Sequence, residues 1–289
     1  MPNTFDLRAG QTLSTQKAEP RHVLVTGVPG HIGSYFAEHA HAKYRLRLMT
    51  QRRADAAELE AYGEIVEADL SDMDALKEMC RGIDTVVHLA ADPGPDATWD
   101  SLLPNNIVGT YNMMVAAKAA GCRRLIYASS IHAVSGYPAD VQVKTSDPVN
   151  PGDLYGVSKC FGEALGRYMA EQEGLSVISL RIGAFQPLDT ARNPEALMLM
   201  DSFVSRRDLT QLIERCIDDE NLQFAVFNGL SNNRFKRLDI SDARALVGYA
   251  PEDDFTEINP RLEDLHLEAV PAGNVSDEGH SSGLREQLP

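Results

Sequence analysis

The stretch RHVLVTGVPGHIG, at residues 21–33, decides how this 289-residue chain folds. Its first six residues predict a short buried strand, and three glycines spaced three apart follow the strand at once. Gly27 permits a tight turn, Gly30 lets the backbone approach a pyrophosphate, and Gly33 allows close packing of the next helix, predicted over residues 34–41. An ordinary glycine-rich turn is the alternative. The position directly after the first strand favours a dinucleotide-binding turn, with phosphate groups at a helix N-terminus.

Strands and helices alternate along the chain from this turn onward. Further strands are predicted over residues 45–49, 64–68, 84–91, 124–128 and 176–182. Helices are predicted between them, and the longest covers residues 99–120 with an interruption or restart at Pro104. This alternation predicts an α/β fold, a Rossmann-type doubly wound parallel sheet whose ligands lie beyond the carboxyl ends of the strands.

The pattern divides the chain into four regions. Residues 1–20 are predicted to form a flexible N-terminal arm, and residues 21–183 the dinucleotide-binding Rossmann domain. Residues 184–267 are predicted to form a small C-terminal substrate-binding cap interleaved with that domain, with a loop over residues 185–194. Residues 268–289 are polar and are expected to be disordered.

Composition and charge exclude several classes of protein. The chain has 42 acidic and 27 basic residues, a net charge of −15, and no basic stripe interleaved with aromatics, which argues against nucleic acid and anionic membranes as partners. No apolar run is long enough for a membrane span or a secretory signal. We therefore expect a cytoplasmic protein with no metal site and reduced cysteines, because no metal-ligand or redox spacing joins Cys80, Cys122, Cys160 and Cys216.

A second motif, YGVSK at residues 155–159, has a chemical use. The residues that follow repeat an apolar side chain every four positions, which predicts a helix with Tyr155 and Lys159 on one face. A nearby cation lowers the pKa of a tyrosine towards the range of a general base. A half-exposed tyrosine beside a surface lysine is the alternative, so the rest of the chain has to supply the context.

The residues after the second strand bear on the choice of coenzyme. An acidic residue near this point holds the adenosine ribose in NAD-binding sheets, whereas an arginine accommodates the 2′-phosphate of NADP. Here the strand ends in TQRR, residues 50–53, without an acid. We expect NADP or NAD with NADP favoured, unless Arg52 and Arg53 are solvated loop residues.

Three motifs together carry a family resemblance: the glycine turn, Ser129-Ser130 after the fifth strand, and Tyr155 to Lys159. They resemble the extended short-chain dehydrogenase/reductase superfamily in its epimerase/dehydratase branch, over about residues 21–255. Four stretches look closest to uronate dehydrogenases and to archaeal short-chain-type glucose-6-phosphate dehydrogenases, namely residues 105–110, 154–163, 181–183 and 205–208. Both groups oxidise the C1 hydroxyl of a cyclic sugar to a lactone.

The resemblance implies a role for each matching residue. Tyr155 would be the general base, Lys159 would lower its pKa and hold the nicotinamide ribose, and Ser130 would hydrogen-bond the reacting oxygen. The residues implied for the coenzyme are Gly27, Gly30, His31, Ile32, Gly33, Arg52, Asp69, Leu70, Ala90, Ala91, Asn106, Ser129, Tyr155 and Lys159.

The chain departs from the uronate dehydrogenases mainly in its substrate residues. Ile131 follows the double serine in place of an asparagine, and Ala184 stands in place of a serine. The arginine that meets the sugar carboxylate falls at Met198, which removes a bidentate partner, and Arg192 could substitute only if its loop folds differently. Uronate is therefore disfavoured. The residues implied for the substrate are Ser130, Ile131, His132, Tyr155, Ala184, Arg192 and Met198.

The sequence thus predicts an NAD(P)-dependent oxidoreductase that oxidises the C1 hydroxyl of an aldose, uronate or sugar phosphate to a lactone. One alternative is a nucleotide-sugar epimerase or dehydratase with tightly bound NAD, although the region after Gly183 is short for burying a nucleotide diphosphate. A non-catalytic NAD(P)-sensing protein is another alternative. The resemblance also implies a homodimer that pairs through the tyrosine helix and the long helix before it.

Overall fold

The computed structural model describes residues 19–263. The predicted arm, apart from its last two residues, and the predicted disordered tail lie outside the described residues. Within the described part of the chain, no helix is both long and apolar enough to cross a membrane.

A parallel seven-stranded sheet forms the centre of the molecule. Its strands in chain order are β1 (His22–Thr26), β2 (Arg45–Thr50), β3 (Glu64–Glu67), β4 (Thr85–His88), β5 (Arg124–Ser130), β6 (Ser176–Ile182) and β9 (Phe224–Gly229). Two short strands between β6 and β9, β7 (Ala184–Gln186) and β8 (Phe203–Ser205), form a separate parallel pair. The order across the sheet is β3-β2-β1-β4-β5-β6-β9. The order reverses between β1 and β4, which creates the crevice where such sheets bind ligands. The predicted doubly wound sheet is confirmed.

Helices connect the strands and cover both faces of the sheet. They are α1 (His31–Ala40), α2 (Met73–Met79), α3 (Trp99–Leu102), α4 (Gly109–Ala119), α5 (Leu154–Glu171), α6 (Leu188–Ala191), α7 (Arg206–Asp218), α8 (Ser241–Val247), α9 (Phe255–Ile258) and α10 (Pro260–Glu263). Short 3-10 segments occur at Arg53–Leu59, Ile131–Val134 and Ala196–Leu199.

The core has two apolar layers because successive strand residues point to opposite faces. Along β1, Val23 and Val25 pack with Phe36 of α1 and with α7, whereas Leu24 packs on the other face with Met113 of α4 and with α2. All five named side chains are fully buried or nearly so, and such burial is the main favourable term in folding.

One local prediction agrees with the structure and another differs from it. The long helix is interrupted at Pro104, where α3 ends and a π-helical turn over Leu103–Val108 joins it to α4, and the Pro104 carbonyl accepts a hydrogen bond from the Gly109 amide. Residues 185–194 are not a loop, because β7 pairs with the distant β8 and α6 follows it. That pairing joins residues far apart in the chain and leaves no local periodic signal.

Candidate functional site

The glycine turn forms one end of a cleft of about 430 Å³. Gly27 has a φ of +82°, and a Cβ there would lie 2.7 Å from the Ala90 amide nitrogen. A Cβ on Gly30 would lie 2.7 Å from the Gly27 carbonyl oxygen. Both positions therefore require glycine.

The helix that follows the turn is suited to an anion. Gly30 is the N-cap residue of α1 and supplies no side-chain cap, so the first amide groups of the helix lack that side-chain partner in the described part of the chain. His31 is exposed at the helix start, and a Cβ on Gly33 would lie 2.9 Å from the Val28 side chain. Unpaired amides and the helix dipole favour a phosphate, so the turn fits the pyrophosphate of a dinucleotide.

Thr26 fixes the end of β4 beside the turn. Its hydroxyl accepts hydrogen bonds from the amides of Leu89 and Ala90, each at 3.1 Å, and lies 2.9 Å from His88 Nδ1. Burial lowers the pKa of His88 to about 3, so this histidine is neutral and structural. No pattern in the sequence indicated that Thr26 holds the end of β4.

The end of the cleft that was predicted to hold the adenosine is lined by other residues than the sequence indicated. Gln51, Asp55 and Leu70 line the cleft, whereas Arg52 does not. The Arg52 side chain is 78% exposed and pairs with the Asp55 carboxylate at 2.8 Å. Asp69 accepts hydrogen bonds from the amide and hydroxyl of Ser71, at 2.8 and 2.7 Å, so its carboxylate is held within its own turn. An acidic residue is therefore present at this end of the cleft, on the 3-10 segment after β2.

The three predicted catalytic residues line one cavity of about 340 Å³: Ser130, Tyr155 and Lys159. Lys159 is buried, and its Nζ donates to the Ala128 carbonyl oxygen at 2.9 Å. The same Nζ lies 5.3 Å from the ring centroids of both Tyr127 and Tyr155. This cavity and the coenzyme cleft share Ala91 and Pro93 in their walls, so the two are continuous neighbours.

Burial controls the electrostatics of Tyr155 and Lys159. It raises the pKa of Tyr155, and the neighbouring Ser130 hydroxyl opposes that rise. Burial also lowers the pKa of Lys159 to about 8. Desolvation of the phenol is the largest cause of the rise, and it acts against the lowering of the tyrosine pKa that is expected from Lys159.

A buried ion pair anchors α5 to the sheet. Arg181 of β6 donates through Nε and Nη2 to the two carboxylate oxygens of Glu163 in α5, both at 2.9 Å. The hydroxyl of Ser129, a residue that also lines the cavity, donates to the same carboxylate at 2.6 Å. A Cβ on Gly162 would lie 2.2 Å from the Tyr127 ring, so the helix packs directly on β5.

Asn106 supports the site from the π-helical turn. Its Nδ2 donates to the Asp92 carbonyl oxygen and to the Ser158 hydroxyl, both at 3.0 Å, and its Oδ1 accepts from the Asp92 amide at 2.8 Å. The Ser158 hydroxyl donates in turn to the Tyr155 carbonyl oxygen at 2.7 Å. Asn106 therefore ties the loop after β4 to the first turn of α5, and π-helical turns often occur at functional sites.

Two of the predicted substrate residues lie away from the catalytic cavity. Ile131, His132 and Ala184 line it. Arg192 is exposed at the end of α6 and pairs with Asp189 at 2.7 Å. Met198 is 83% exposed and lines a different cavity, because the 3-10 segment that carries it turns its side chain outward.

His132 has a partner that the sequence did not reveal. Its Nδ1 lies 2.6 Å from the Asp153 carboxylate, and its ring meets the Tyr155 ring edge-on at 5.4 Å between centroids. The other carboxylate oxygen of Asp153 accepts from the Gly156 amide at 2.7 Å and caps α5. One carboxylate thus fixes both the histidine and the start of α5.

Among residues 19–263, no group of three histidine, cysteine, aspartate or glutamate side chains is placed to hold a metal ion. The four cysteines are free thiols. The residues that fit a dinucleotide are those of the glycine turn, the N-terminus of α1 and the buried Lys159.

The sheet, the glycine turn and the cavity of Ser130, Tyr155 and Lys159 define a Rossmann-type protein of the short-chain dehydrogenase/reductase class. The chain belongs to the NAD dependent epimerase/dehydratase family, whose family model matches residues 23–234. The predicted resemblance is thereby confirmed.

Known relatives include sugar dehydrogenases. The chain is 34% identical over 258 residues to the NAD-dependent glucose-6-phosphate dehydrogenase of Haloferax volcanii, covering 84% of this chain and 97% of that protein. It is 36% identical over 252 residues to the L-arabinose 1-dehydrogenase (NAD(P)(+)) of the same organism, covering 80% and 96%. Its fold matches a mutant uronate dehydrogenase from Agrobacterium tumefaciens complexed with NAD, with a TM-score of 0.75, 30% identity, and 89% and 92% of the two chains covered.

Proposed function

We propose that this protein oxidises the C1 hydroxyl of a cyclic sugar to a lactone with a nicotinamide coenzyme. The observation that carries the proposal is the shared cavity of Ser130, Tyr155 and Lys159, which adjoins the cleft of the glycine turn. The names of the relatives support it, because they are dehydrogenases for glucose 6-phosphate, L-arabinose and uronate.

Each catalytic residue has a task in this reaction. The bound coenzyme supplies the acceptor for the hydride that leaves C1. Ser130 donates a hydrogen bond to the reacting oxygen, and Tyr155 takes the proton from the C1 hydroxyl as general base. Lys159 holds the nicotinamide ribose, and its positive charge favours the phenolate of Tyr155. The residues around β7 and β8 belong to the proposed substrate-binding cap, residues 184–267.

We propose NAD as the preferred coenzyme, in place of the NADP that Arg52 favoured in the sequence. Asp55 lines the adenosine end of the cleft, whereas Arg52 points to solvent and pairs with it. A carboxylate accepts hydrogen bonds from the ribose hydroxyls and repels a 2′-phosphate. The cytoplasmic location and the homodimer stay predictions from the sequence.

The test is a panel of aldoses, uronates and sugar phosphates assayed with NAD and with NADP. We expect net reduction of the added nicotinamide, followed by its absorbance, with a faster rate for NAD. Sugar conversion without net nicotinamide reduction would support the epimerase alternative instead. Coenzyme binding without conversion of any sugar would support the sensing alternative.

A further inference from the structure

A third cavity, of about 640 Å³, lies beside the catalytic one. Its walls are residues 139–142, residues 197–201 and residues 234–237. The two cavities are neighbours because Asp201 lines this one and the adjacent Ser202 lines the catalytic one. The proposed function makes no use of this cavity so far.

Three cationic side chains line the cavity: Arg234, Lys236 and Arg237. Within residues 19–263, none of the three forms an ion pair with an acidic side chain. This is notable in a chain with a net charge of −15, where acidic partners are in excess. Three clustered cations without a carboxylate partner are a source of attraction for an anion.

Arg237 links the cationic wall to the catalytic cavity. Its Nη2 donates to the carbonyl oxygens of Ser135 and Tyr137, at 3.3 and 3.1 Å, directly after the 3-10 segment that carries His132. Its Nε is buried and has no hydrogen-bond partner within the described residues. The guanidinium is therefore held in place by backbone carbonyls at the wall of the cavity, with its Nε shielded from solvent.

The other lining residues partly offset the positive charge of the three cations and give the cavity an apolar rim. Asp140 and Asp201 also line it, so three cations face two carboxylates and the cavity keeps one excess positive charge. Met198 and Phe235 stand exposed at the same cavity. Apolar side chains beside cations suit a sugar ring that carries an anionic group.

We propose that this cavity binds the anionic group of the sugar substrate, a phosphate or a carboxylate, and so selects charged sugars over neutral ones. The inference rests on the proposed function for the identity of the sugar. It makes Arg234, Lys236 and Arg237 determinants of substrate specificity, which no motif in the sequence indicated.

The first test uses inorganic phosphate as the probe in a calorimetric titration of the protein saturated with NAD. NAD occupies the glycine turn, so the heat that remains reports a separate anion site. We expect phosphate binding that persists with NAD and weakens at least about tenfold in the double variant Arg234→Ala/Lys236→Ala, because each cation contributes a charge-assisted hydrogen bond. Arg215→Ala is the matched control, since Arg215 is an exposed cation of α7 that does not line the cavity. It should bind phosphate like the unaltered protein.

The second test compares kcat/KM for a sugar phosphate, a uronate and a neutral aldose in the same variants. The measured quantity is the ratio of kcat/KM for the preferred charged sugar to kcat/KM for the neutral sugar. We expect this ratio to fall at least about tenfold in the double variant and to stay constant in Arg215→Ala. A general loss of structure would lower both values together and leave the ratio unchanged. Comparison of the two charged sugars then distinguishes phosphate from carboxylate.

Three results would overturn the proposal: no phosphate binding in the presence of NAD, equal binding by the double variant, or an unchanged kcat/KM ratio in a double variant that keeps its activity towards the neutral sugar. Failure of the proposed function has another signature. In that case no sugar reduces the nicotinamide, while phosphate binding is still lost in the double variant.

Discussion

Lys159 and Met198 illustrate two differently built halves of the site, since 3% of the lysine surface is exposed and 83% of the methionine surface. On the coenzyme side, buried backbone groups fix the functional residues, as the Ala128 carbonyl does for Lys159. On the substrate side, short segments such as the 3-10 segment of Met198 carry exposed side chains. We therefore expect the buried half to tolerate little change, and the residues of the exposed half to change without disturbing the proposed reaction.

The largest combined change in turnover and stability is expected from Lys159→Met. Turnover should fall by about 10³, because the cation that assists Tyr155 is lost. Stability near neutral pH should rise by about 1–3 kcal/mol, since burial of this charge is unfavourable. The measurements are steady-state kinetics and urea unfolding.

The pH dependence gives Lys159→Met its own control. Burial lowers the pKa of Lys159 from 10.5 to about 8, so the unfolded chain holds more protons between these values and the unaltered protein gains stability as the pH rises through them. The advantage of the variant should be full below pH 8 and shrink towards pH 10.5. An advantage independent of pH would contradict the buried charge.

Glu163→Gln tests the anchor of the buried half. The change leaves Arg181 charged and without its carboxylate, which should cost about 3–5 kcal/mol in the free energy of unfolding. Glu171→Gln on the same helix is the control, because its pair with Arg167 is exposed and should cost under about 0.5 kcal/mol. Equal losses in the two variants would show that α5 is not anchored in this way.

Asp55→Asn tests the adenosine end of the cleft. We expect the preference for NAD over NADP to fall about tenfold, through weaker NAD binding and relief of repulsion towards the 2′-phosphate. Dissociation constants for the two coenzymes measure this without turnover. Asp74→Asn, at a 98% exposed side chain outside the cleft, should leave both constants unchanged. Unaltered discrimination in Asp55→Asn would return the choice of coenzyme to Arg52.

The smallest effect is expected from Arg192→Ala. Its partner Asp189 is exposed, and neither residue lines the catalytic cavity, so kcat/KM should change by no more than about twofold. A tenfold loss for charged sugars alone would mean that Arg192 reaches the substrate, and the exposed half would then be more ordered during turnover than the structure indicates.

The sequence predicts the parts of the site that local patterns encode. The glycine spacing places Gly27 and Gly30 beside the end of β4, and the helical repeat places Tyr155 and Lys159 on one face of α5. Contacts between distant residues leave no such pattern. The pair of Glu163 and Arg181 and the pairing of β7 with β8 therefore required the structure.

The residues proposed for the substrate show the same limit of prediction from sequence. Matching along the sequence pointed to Met198 and Arg192, but neither side chain lines the catalytic cavity. The cations at residues 234–237 come from a segment without any motif. Only the folded chain brings them into the wall of the third cavity, which Met198 also lines. The sequence did not indicate Asp55 either. A 3-10 segment carries this residue into the cleft, and it lies beyond the position at the end of β2 where the ribose-binding acid usually occurs.

The most direct test of the central assignment is Tyr155→Phe, which removes the proposed base and keeps the ring. With saturating NAD and sugar, we predict that the rate of nicotinamide reduction falls by about 10²–10⁴, while the dissociation constant for NAD changes by less than about threefold. Retention of most of the turnover with bound coenzyme would contradict the role of Tyr155 as general base.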